Sequence, residues 1–588
     1  MPAAKRSRPE QSLAGRVVAD SHAQCVLVGA LAFLLYANTL SHGYVLDDAG
    51  VIVKNRLTQQ GMRAIPQILA HSYYSGYNLP SRAYRPLSVA TFALEVQFFG
   101  NSAAVSHAVN VLLFAAAGIA VLLLLRRLWR ISGAPQGPGA CFAPLAGALL
   151  FVAHPIHTEA VANIKGRDEL IAFLGISGAL SLILRFESER RLRDLLLAAL
   201  CYGAALLGKE SAITLLPLVP ITCAVLARTP LRKAALATLV FAAVSGAYLV
   251  VRSALLNDPP RPAECPTNSL ALAADLPARW TTAVYVLGQY LKLLLVPHPL
   301  VYDYSYNQIP LLTRYDLKAL APLAVHLGLG AYAASRIRAR DLVAYGVLFY
   351  LVTMSVASNL LVLTGVTMAE RLLFTPSLGF CLAAAALLAK LAGGAKPKLA
   401  LAVLVAALAA YSLLTIDRNR AWSDNYTLTS RDAPHTRASA KARLNLGAAQ
   451  LGRSQRPMGA RERESLLRDG IENCSAVLAI CPSVIEARAS LGWAHERLGE
   501  TEGALRHYEL VIGSVPALAE HVAALYLEVG SAARGKGDYA RARAALERAA
   551  ALHPSRAAFV ELAATLRDLR EPALAEVWAD RAARLPAR

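Results

Sequence analysis

The stretch AVNVLLFAAAGIAVLLLL, residues 108–125, carries no charged side chain and is followed at once by Arg126 and Arg127. A helix needs about 20 apolar residues to cross the ~30 Å hydrocarbon core of a bilayer, and a basic pair at one end is typical of the cytosolic side. Similar runs at 26–40, 378–391 and 398–416 recur along the 588-residue chain, which is 55% hydrophobic. The sequence therefore predicts a multi-span membrane protein.

The formal net charge of +20 raises the alternative of a nucleic-acid partner, so the positions of the basic residues have to decide. The basic residues cluster in short connections between apolar runs, as the positive-inside rule describes. The clusters are Lys5/Arg6/Arg8/Arg16, Arg126/Arg127/Arg130, Arg190/Arg191/Arg193, Arg228/Arg232/Lys233, Arg336/Arg338/Arg340 and Lys390/Lys396/Lys398. We interpret them as orientation signals and expect no nucleic-acid partner.

If these clusters are cytosolic, eleven spans close the topology, with the N-terminus inside and everything after Asp417 outside. The spans are expected at about 22–40, 105–125, 141–153, 169–185, 195–207, 212–227, 234–251, 319–334, 342–358, 372–390 and 399–416. The apolar stretch 281–297 does not fit this alternation, so we expect it to lie on, or dip into, the outer face.

The same pattern predicts the domain boundaries. A basic cytosolic tail occupies 1–21 and a multi-span domain 22–416, with outer juxtamembrane helices at about 58–98 and an outer segment at 252–318. A linker is expected over 417–437, and a repeat domain over 438–588.

The C-terminal part is a repeat array. SLGWAHERLGETEGALRHYELVIGSVP, residues 490–516, has the spacing of a tetratricopeptide repeat, and Pro482 and Pro516 are 34 residues apart, one full repeat. VGSAARGKGDYARARAALERAAALHP, residues 529–554, repeats the pattern, and weaker copies flank these two. The sequence predicts an α-solenoid of about four repeats, whose concave surface suits an extended polypeptide; the alternative is a packing domain.

Eight cysteines are scattered without metal-binding spacing. Cys474 and Cys481 lie seven positions apart on a predicted helix, which separates their Cα atoms by ~10 Å, too far for a bridge. The sequence therefore predicts no structural disulfide.

The motif YVLDDAG, residues 44–50, places Asp47 and Asp48 directly after the first span, on the outer face. Ionisable residues at span ends are candidates for function. The others on this face are Arg85, His154, His157, Glu159, Lys165, Arg167, Asp168, Lys209, Glu210, Asp303, Glu370 and Arg371. Carboxylates facing cations suit proton transfer with stabilisation of a leaving anion, although structural ion pairs are the alternative. A metal site at HPIHTE is disfavoured, since Pro155 interrupts a regular ligand helix.

Several motifs resemble the transmembrane and tetratricopeptide-repeat (TMTC-like) protein O-mannosyltransferases of the C-type glycosyltransferase superfamily, in order and over nearly the whole chain. They are YVLDDAGVIVKN, AYRPLSVATF, HPIHTEAVANIKGRDEL, GKESAITLL, LLLVPHPLVYDYSYNQIP, SNLLVLTGVTMAERLLFTPSLGF and RNRAWSDNYTL. The resemblance implies an all-α fold, a polytopic helix bundle followed by the α-solenoid.

The resemblance also implies an activity: inverting transfer of a sugar, usually mannose, from a dolichyl or other polyprenyl phosphate to a Ser or Thr hydroxyl of an extracytoplasmic protein, with no metal or other cofactor required. We expect Asp47 and Asp48 to be catalytic, with Asp47 as the base. The residues expected to bind the donor phosphate or the substrate are Arg85, His154, His157, Glu159, Arg167, Lys209, Glu210, Glu370 and Arg371.

Two alternatives stay open at this point. One is a non-enzymatic scaffold or transporter whose repeats recruit a partner, and the other is sugar transfer to a lipid or cell-wall polymer. The sequence of a transporter is expected to have ionisable residues near mid-membrane and two similar halves, and this sequence shows neither feature. The expected membrane is a bacterial inner membrane, or the endoplasmic reticulum in a eukaryote.

Overall fold

The computed structural model describes residues 20–77, 81–133, 138–256, 265–393 and 396–586. The described residues form helices and connections, without a β-strand. Two compact units result, Met1–His435 and Thr436–Arg588. The basic tail predicted over 1–21 lies almost entirely outside the described residues.

The first unit is a bundle of helices. Its longer helices are α1 (Ser21–Tyr36), α2 (Pro86–Phe99), α3 (Ala103–Ser132), α4 (Pro138–Ala153), α5 (Arg167–Glu189), α6 (Leu192–Gly208), α7 (Leu215–Val225), α8 (Leu231–Leu255), α9 (Leu276–Leu295), α10 (Leu320–Ser335), α11 (Leu342–Ala357), α12 (Pro376–Gly393), α13 (Pro397–Ala421) and α14 (Asn425–Asp432). Side chains cap several of them: Asp20 accepts from His22 N, and Asp341 accepts from Val343 N.

Seven described helices are long and apolar enough to cross a membrane: Ser21–Ser41, Ala103–Ser132, Ile164–Glu189, Arg232–Leu255, Leu317–Ser335, Pro376–Gly393 and Pro397–Ala421. The four other predicted spans fall on α4, α6, α7 and α11, which have 11 to 17 residues. The amphipathic α9, over the stretch expected to lie on the outer face, is not among the seven. The chain is thus an all-helical, multi-pass membrane bundle followed by helical repeats.

Small residues let the bundle helices approach closely. A Cβ at Gly346 on α11 would lie 2.5 Å from the backbone oxygen of Gly379 on α12, and a Cβ at Gly175 on α5 would lie 2.6 Å from Cys201 O on α6. Because lipid chains are as apolar as leucine side chains, such close packing contributes much of the attraction between membrane helices.

The juxtamembrane region differs from the prediction. Two helices are expected within 58–98. The one over PLSVATFALEVQFFG, residues 86–100, exists as α2, but the one over IPQILAHSYY, residues 65–74, is only Ile65–Leu69. Beyond Leu69 the chain turns back on itself, with Tyr73 N donating to Ala83 O at 2.9 Å. That pairing with a residue ten positions away replaces the local hydrogen bonds that a longer helix would need.

The linker expected over 417–437 is instead mostly helical. Helix α13 continues to Ala421, and Asp424 caps α14 by accepting from Tyr426 N and Thr427 N. Arg418 near the end of α13 makes a bidentate ion pair with Asp432 on α14, at 2.5 and 2.8 Å. This buried pair fastens α14 to the end of the last span, which composition alone does not reveal.

The second unit consists of four helix pairs, as the repeat spacing predicts. They are α15 (Ala440–Ser454) with α16 (Ala460–Ile480), α17 (Ile485–Arg497) with α18 (Thr501–Glu509), α19 (Ala519–Gly535) with α20 (Tyr539–Leu552), and α21 (Arg556–Asp568) with α22 (Pro572–Ala583). Glycines lie where the helices of a pair meet: a Cβ at Gly492 would lie 2.6 Å from the Tyr508 ring, and one at Gly530 would lie 2.5 Å from Leu546.

The prediction of no disulfide is wrong. Cys474 is a buried free thiol, but Cys265 and Cys481 are each disulfide-bonded. The spacing in sequence excludes a bridge between Cys474 and Cys481 only. Which cysteines pair depends on the residues that the fold brings together.

The crossing of α11 and α12 can be tested with Gly346→Ala. The added methyl group meets a backbone oxygen, which cannot rotate away as a side chain would, so we expect a loss of about 1–3 kcal/mol in stability. Thermal unfolding of the detergent-purified chain measures it as a lower midpoint temperature. Gly246→Ala on α8, where an added Cβ meets no atom within 4 Å, is the matched control. Equal midpoints for the two variants would contradict a close crossing.

Candidate functional site

The loop after α1 folds around Asp48. Its Oδ2 accepts from Val45 N at 2.9 Å, and Leu46, with φ of 49°, turns the chain between them. Asp48 is fully buried, and its Oδ1 accepts from Lys165 N at 2.8 Å. One carboxylate therefore joins the loop after α1 to the loop before α5, some 120 residues further along the chain.

Asp47 points elsewhere. Its Oδ2 accepts from Lys165 Nζ at 2.8 Å, and its side chain is 46% exposed. Lys165 Nζ also lies 5.9 Å from the centre of the Tyr74 ring. The adjacent aspartates thus have different environments: Asp48 fixes the backbone, and Asp47 presents a carboxylate oxygen beside an ammonium group.

Burial distinguishes the two carboxyl groups chemically as well. It raises the pKa of Asp48 to about 7, against the opposing effect of the backbone N–H groups of Val45 and Lys165. A group that is enclosed on all sides, with both oxygens already accepting backbone N–H groups, has no open path to a substrate hydroxyl and is poorly placed to take its proton.

Next to Asp47 and Lys165 lies an arginine held between two carboxylates. Arg85, at the start of α2, donates from Nη1 to Asp168 at 2.5 Å and from Nε and Nη2 to Glu210 at 2.9 and 2.6 Å. Glu210 is the more open of these partners, with a side chain 34% exposed. Lys209, almost fully buried, pairs with Glu169 and lies 4.0 Å from Asp168.

Arg371 approaches the same cluster from another element. Its Nη1 and its backbone N both donate to Glu159, the backbone bond at 2.8 Å. The Arg371 side chain is 24% exposed and interacts electrostatically with Asp47 and with Lys165. Among the described residues, the hydrogen bonds of its guanidinium group involve Nη1 alone, which leaves Nε and Nη2 free to bind an anion.

The structure therefore brings together nine charged groups from four connections of the bundle and the start of α5: Asp47, Arg85, Glu159, Lys165, Asp168, Glu169, Lys209, Glu210 and Arg371. Charges of opposite sign alternate through this cluster, which we call the outer charge cluster. No group of three or more His, Cys, Asp or Glu side chains within the described ranges is arranged to hold a metal ion.

Five predicted residues lie outside this cluster: Asp48, Glu370, His154, His157 and Arg167, of which the last three are bonded to neighbouring elements. His154 is fully buried, with Nε2 3.0 Å from Leu294 O and Nδ1 accepting from Ile156 N at 3.2 Å. His157 is also buried, with Nε2 2.8 Å from Ser377 Oγ. Burial lowers the pKa of His154 to about 4, so its imidazole is neutral.

Arg167 is the last of the five. It is completely buried and donates to Asn110 Oδ1 at 2.8 Å, to Glu95 at 2.5 Å and to Ser106 O at 3.0 Å. Its guanidinium carbon lies 4.3 Å from the centre of the Phe92 ring. The arrangement fastens α2 against α3 and leaves little of the guanidinium group for a substrate.

Two tyrosines that contact site residues are not among the candidates predicted from the sequence. Tyr74 lies against Lys165, and Tyr304 donates to Glu370 at 3.0 Å. The tyrosine-rich stretches SYYSGY and VYDYSY, at 72–77 and 301–306, are the available signals. Neither is distinctive without the charged residues that fold beside it.

Comparison with known proteins bears on this arrangement. The family model described as protein O-mannosyl-transferase TMTC, DUF1736, matches residues 264–330. The chain is 25% identical to protein O-mannosyl-transferase TMTC3 of Mus musculus over 86% of this chain and 56% of that protein, and 28% identical to protein O-mannosyl-transferase F38B6.6 of Caenorhabditis elegans over 71% and 58%. These matches support the resemblance of the chain to the TMTC-like family.

A shorter part of this TMTC-like chain is more strongly conserved in one relative, with 36% identity to protein O-mannosyl-transferase Tmtc1 of Drosophila melanogaster over 32% of this chain and 21% of that protein. The chain spans little more than half the length of the curated relatives it matches. Among solved structures, a chain in the crystal structure of APC/C hetero-tetramer Cut9-Hcn1 aligns at 14% identity over 84% of this chain and 90% of that chain. Its TM-score is 0.19, too low to call the folds alike.

The buried Asp48 predicts a measurable pH dependence in this TMTC-like chain. Because its folded pKa is raised, its contribution to folding stability is complete below its ordinary pKa of 3.8 and is lost as the pH rises through about 7, at up to ~1.4 kcal/mol per pH unit. We expect Asp48→Asn to remove this part of the slope. It also lowers stability overall, since an amide nitrogen cannot accept the second backbone N–H.

Thermal unfolding of the detergent-purified chain between pH 5 and 8 measures both effects. Asp417→Asn, at a residue whose side chain is 54% exposed and pairs with Arg431, is the control for loss of a carboxylate. Slopes that are the same for wild type and Asp48→Asn would show that Asp48 does not titrate as expected.

Proposed function

We propose that this chain is an integral membrane glycosyltransferase. In this proposal it moves a sugar, mannose in the first instance, from a dolichyl or other polyprenyl phosphate to Ser or Thr hydroxyls of extracytoplasmic proteins, with inversion at the anomeric carbon. Its similarity to proteins named protein O-mannosyl-transferase supports the class of reaction. The observation that carries the assignment to this site is the exposed Asp47 carboxylate within the outer charge cluster.

Asp47 is the proposed general base. A hydroxyl is a weak nucleophile near neutral pH, and a carboxylate that takes its proton during attack contributes ~10²–10⁴-fold to the rate. The acceptor oxygen forms the new bond to the anomeric carbon, and the bond from that carbon to the phosphate oxygen breaks. The proton goes to Asp47, and Lys165 favours the charged form of this carboxylate before the transfer.

Arg371 is the proposed principal ligand of the donor phosphate. The phosphate gains negative charge as it leaves with its lipid, and a fixed guanidinium group stabilises that charge in the transition state. Arg371 combines partial exposure with free donors, whereas Arg85 already bonds through all three nitrogens. In this scheme Arg85, Lys209, Glu159 and Glu210 fix the shape and the potential of the site.

The other predicted residues take indirect roles in this proposal. His154, His157 and Arg167 are buried and bonded to neighbouring elements, so they hold the connections that carry the charged groups. Asp48 positions Asp47 through the backbone. No cofactor enters the scheme, because the lipid-linked sugar is itself activated by its phosphate.

The site and the repeats are proposed to face the extracytoplasmic side, with the N-terminus in the cytosol. The basic connections support this orientation. The disulfide-bonded Cys265 and Cys481 both belong to segments assigned to the outer side, and disulfides persist in oxidising compartments. The repeat array would then hold an extended acceptor polypeptide on the side where transfer occurs.

The base assignment is tested by Asp47→Asn in a transfer assay. Membranes carrying the chain receive a polyprenyl-phosphate-linked mannose and a Ser/Thr-rich acceptor peptide, and glycopeptide is measured by mass spectrometry. We expect a loss of about 10²–10⁴-fold, since the amide cannot take the proton. Asp417→Asn is the control, because it removes an exposed carboxylate that pairs with Arg431 and not with the outer charge cluster, and it should transfer normally. Wild-type transfer by Asp47→Asn would refute this role.

The phosphate assignment is tested by Arg371→Gln and Arg371→Lys in the same assay. Loss of one such donor costs ~3–4 kcal/mol in the transition state, so we expect Arg371→Gln to lower kcat by about 10²–10³-fold. Lysine keeps the charge but not the fork of donors, and should restore part of the rate. Arg431→Gln, at an exposed arginine paired with Asp417, is the matched control. Equal rates for all variants would exclude Arg371 from the reaction.

A further inference from the structure

Arg371 lies in a short segment that three other elements hold. Ala369 N donates to the Tyr290 hydroxyl of α9 at 3.0 Å, and Arg371 N donates to Glu159 at 2.8 Å. Between them, Glu370 is 1% exposed and accepts hydrogen bonds from a different stretch of the chain. Consecutive residues are thus fixed from different sides, which leaves the Arg371 backbone little freedom to rotate.

Glu370 connects this segment to the stretch 300–305. Its Oε1 accepts from Val301 N at 2.5 Å and from the Tyr304 hydroxyl at 3.0 Å. The next backbone group, Tyr302 N, donates to Asp432 at 2.8 Å, and Asp432 is itself held by Arg418. Two buried carboxylates therefore bind successive N–H groups of one extended stretch.

The contacts of Tyr290, Val301, Tyr302 and Tyr304 come from the outer segment 252–318, and these four residues lie within 264–330, the part of the chain that the family model matches. We propose that this outer segment positions Arg371 for the donor phosphate, with Tyr290, Tyr304 and Glu370 as positioning residues. The inference rests on the proposed function, and it gives Glu370 a role through its neighbour rather than direct contact with substrate.

The charge state of Glu370 is consistent with that role. Burial raises the pKa of Glu370 to about 8, and its Oε2 has no hydrogen-bond partner among the described residues. The ionisable groups that face it are Tyr304, Arg418, Asp432 and Glu159. At neutral pH Glu370 is mostly uncharged, so it holds the stretch 300–305 without adding a carboxylate that would compete with phosphate for Arg371.

The experiment compares Tyr290→Phe, Tyr304→Phe, Glu370→Gln and Glu370→Ala in the full chain purified in detergent. Tyr315→Phe is the control, because Tyr315 belongs to the same outer segment but is 81% exposed. Native mass spectrometry measures binding of dolichyl phosphate. Hydrogen exchange of peptides covering 368–374 measures the order of the Arg371 segment, and the transfer assay gives KM and kcat for the donor.

Loss of one hydrogen bond from either tyrosine is expected to weaken dolichyl phosphate binding about three- to tenfold and to speed exchange at 368–374. Glu370→Gln keeps the Oε1 acceptor and should bind as wild type, while Glu370→Ala should not. Wild-type activity is expected to fall as the pH rises through about 8, where Glu370 ionises, and Glu370→Gln should lack that fall.

Unchanged binding and exchange in both tyrosine variants would overturn the positioning role. The same holds if Glu370→Gln behaves like Glu370→Ala. Failure of the proposed function has a different signature: a wild-type chain that binds no dolichyl phosphate overturns both ideas. A chain that binds it but is unaffected by Asp47→Asn loses only the base assignment.

Discussion

Two hydrogen bonds to one buried carboxylate organise the outer end of this bundle. Asp48 accepts from the backbone of its own loop at Val45 and from the backbone of a distant loop at Lys165. Fixing Lys165 in this way places its ammonium group against Asp47, the neighbour of Asp48 in sequence. The two adjacent aspartates therefore have different roles in the structure: Asp48 is buried and fixes the backbone, and Asp47 is exposed and pairs with Lys165.

Ion pairs beyond Asp47 and Lys165 join further connections of the bundle to one another. Arg85 at the start of α2 joins Asp168 on α5 to Glu210 after α6, and Arg371 joins the connection before α12 to Glu159. Buried charges are costly unless they are paired, so each of these contacts specifies where its loop must lie. The same contacts hold cations beside Asp47, where a departing phosphate would need them.

The outer segment, through its residues 290–304, joins this system from a second side. Its described residues contribute no charge to the outer charge cluster, but its backbone and two tyrosines hold Ala369 and Glu370, the two residues before Arg371. In the proposed reaction the charged residues contact the substrates and the outer segment only holds them in place, so the segment needs no catalytic residue of its own. It supplies rigidity, and preorganised charge depends on rigidity.

The sequence by itself determined the bundle, its helices and the four repeats, because hydrophobic runs, basic clusters and a 34-residue period are local properties of the chain. It also placed Asp47, Arg85, Glu210 and Arg371 on one face. Only the tertiary structure separated Asp47 from Asp48, buried His154, His157 and Arg167, shortened the helix at Ile65–Leu69 and bonded Cys265 and Cys481 in disulfides. The physical reason is that burial, pairing and side-chain direction depend on residues more than a hundred positions apart, whose contacts no local pattern records.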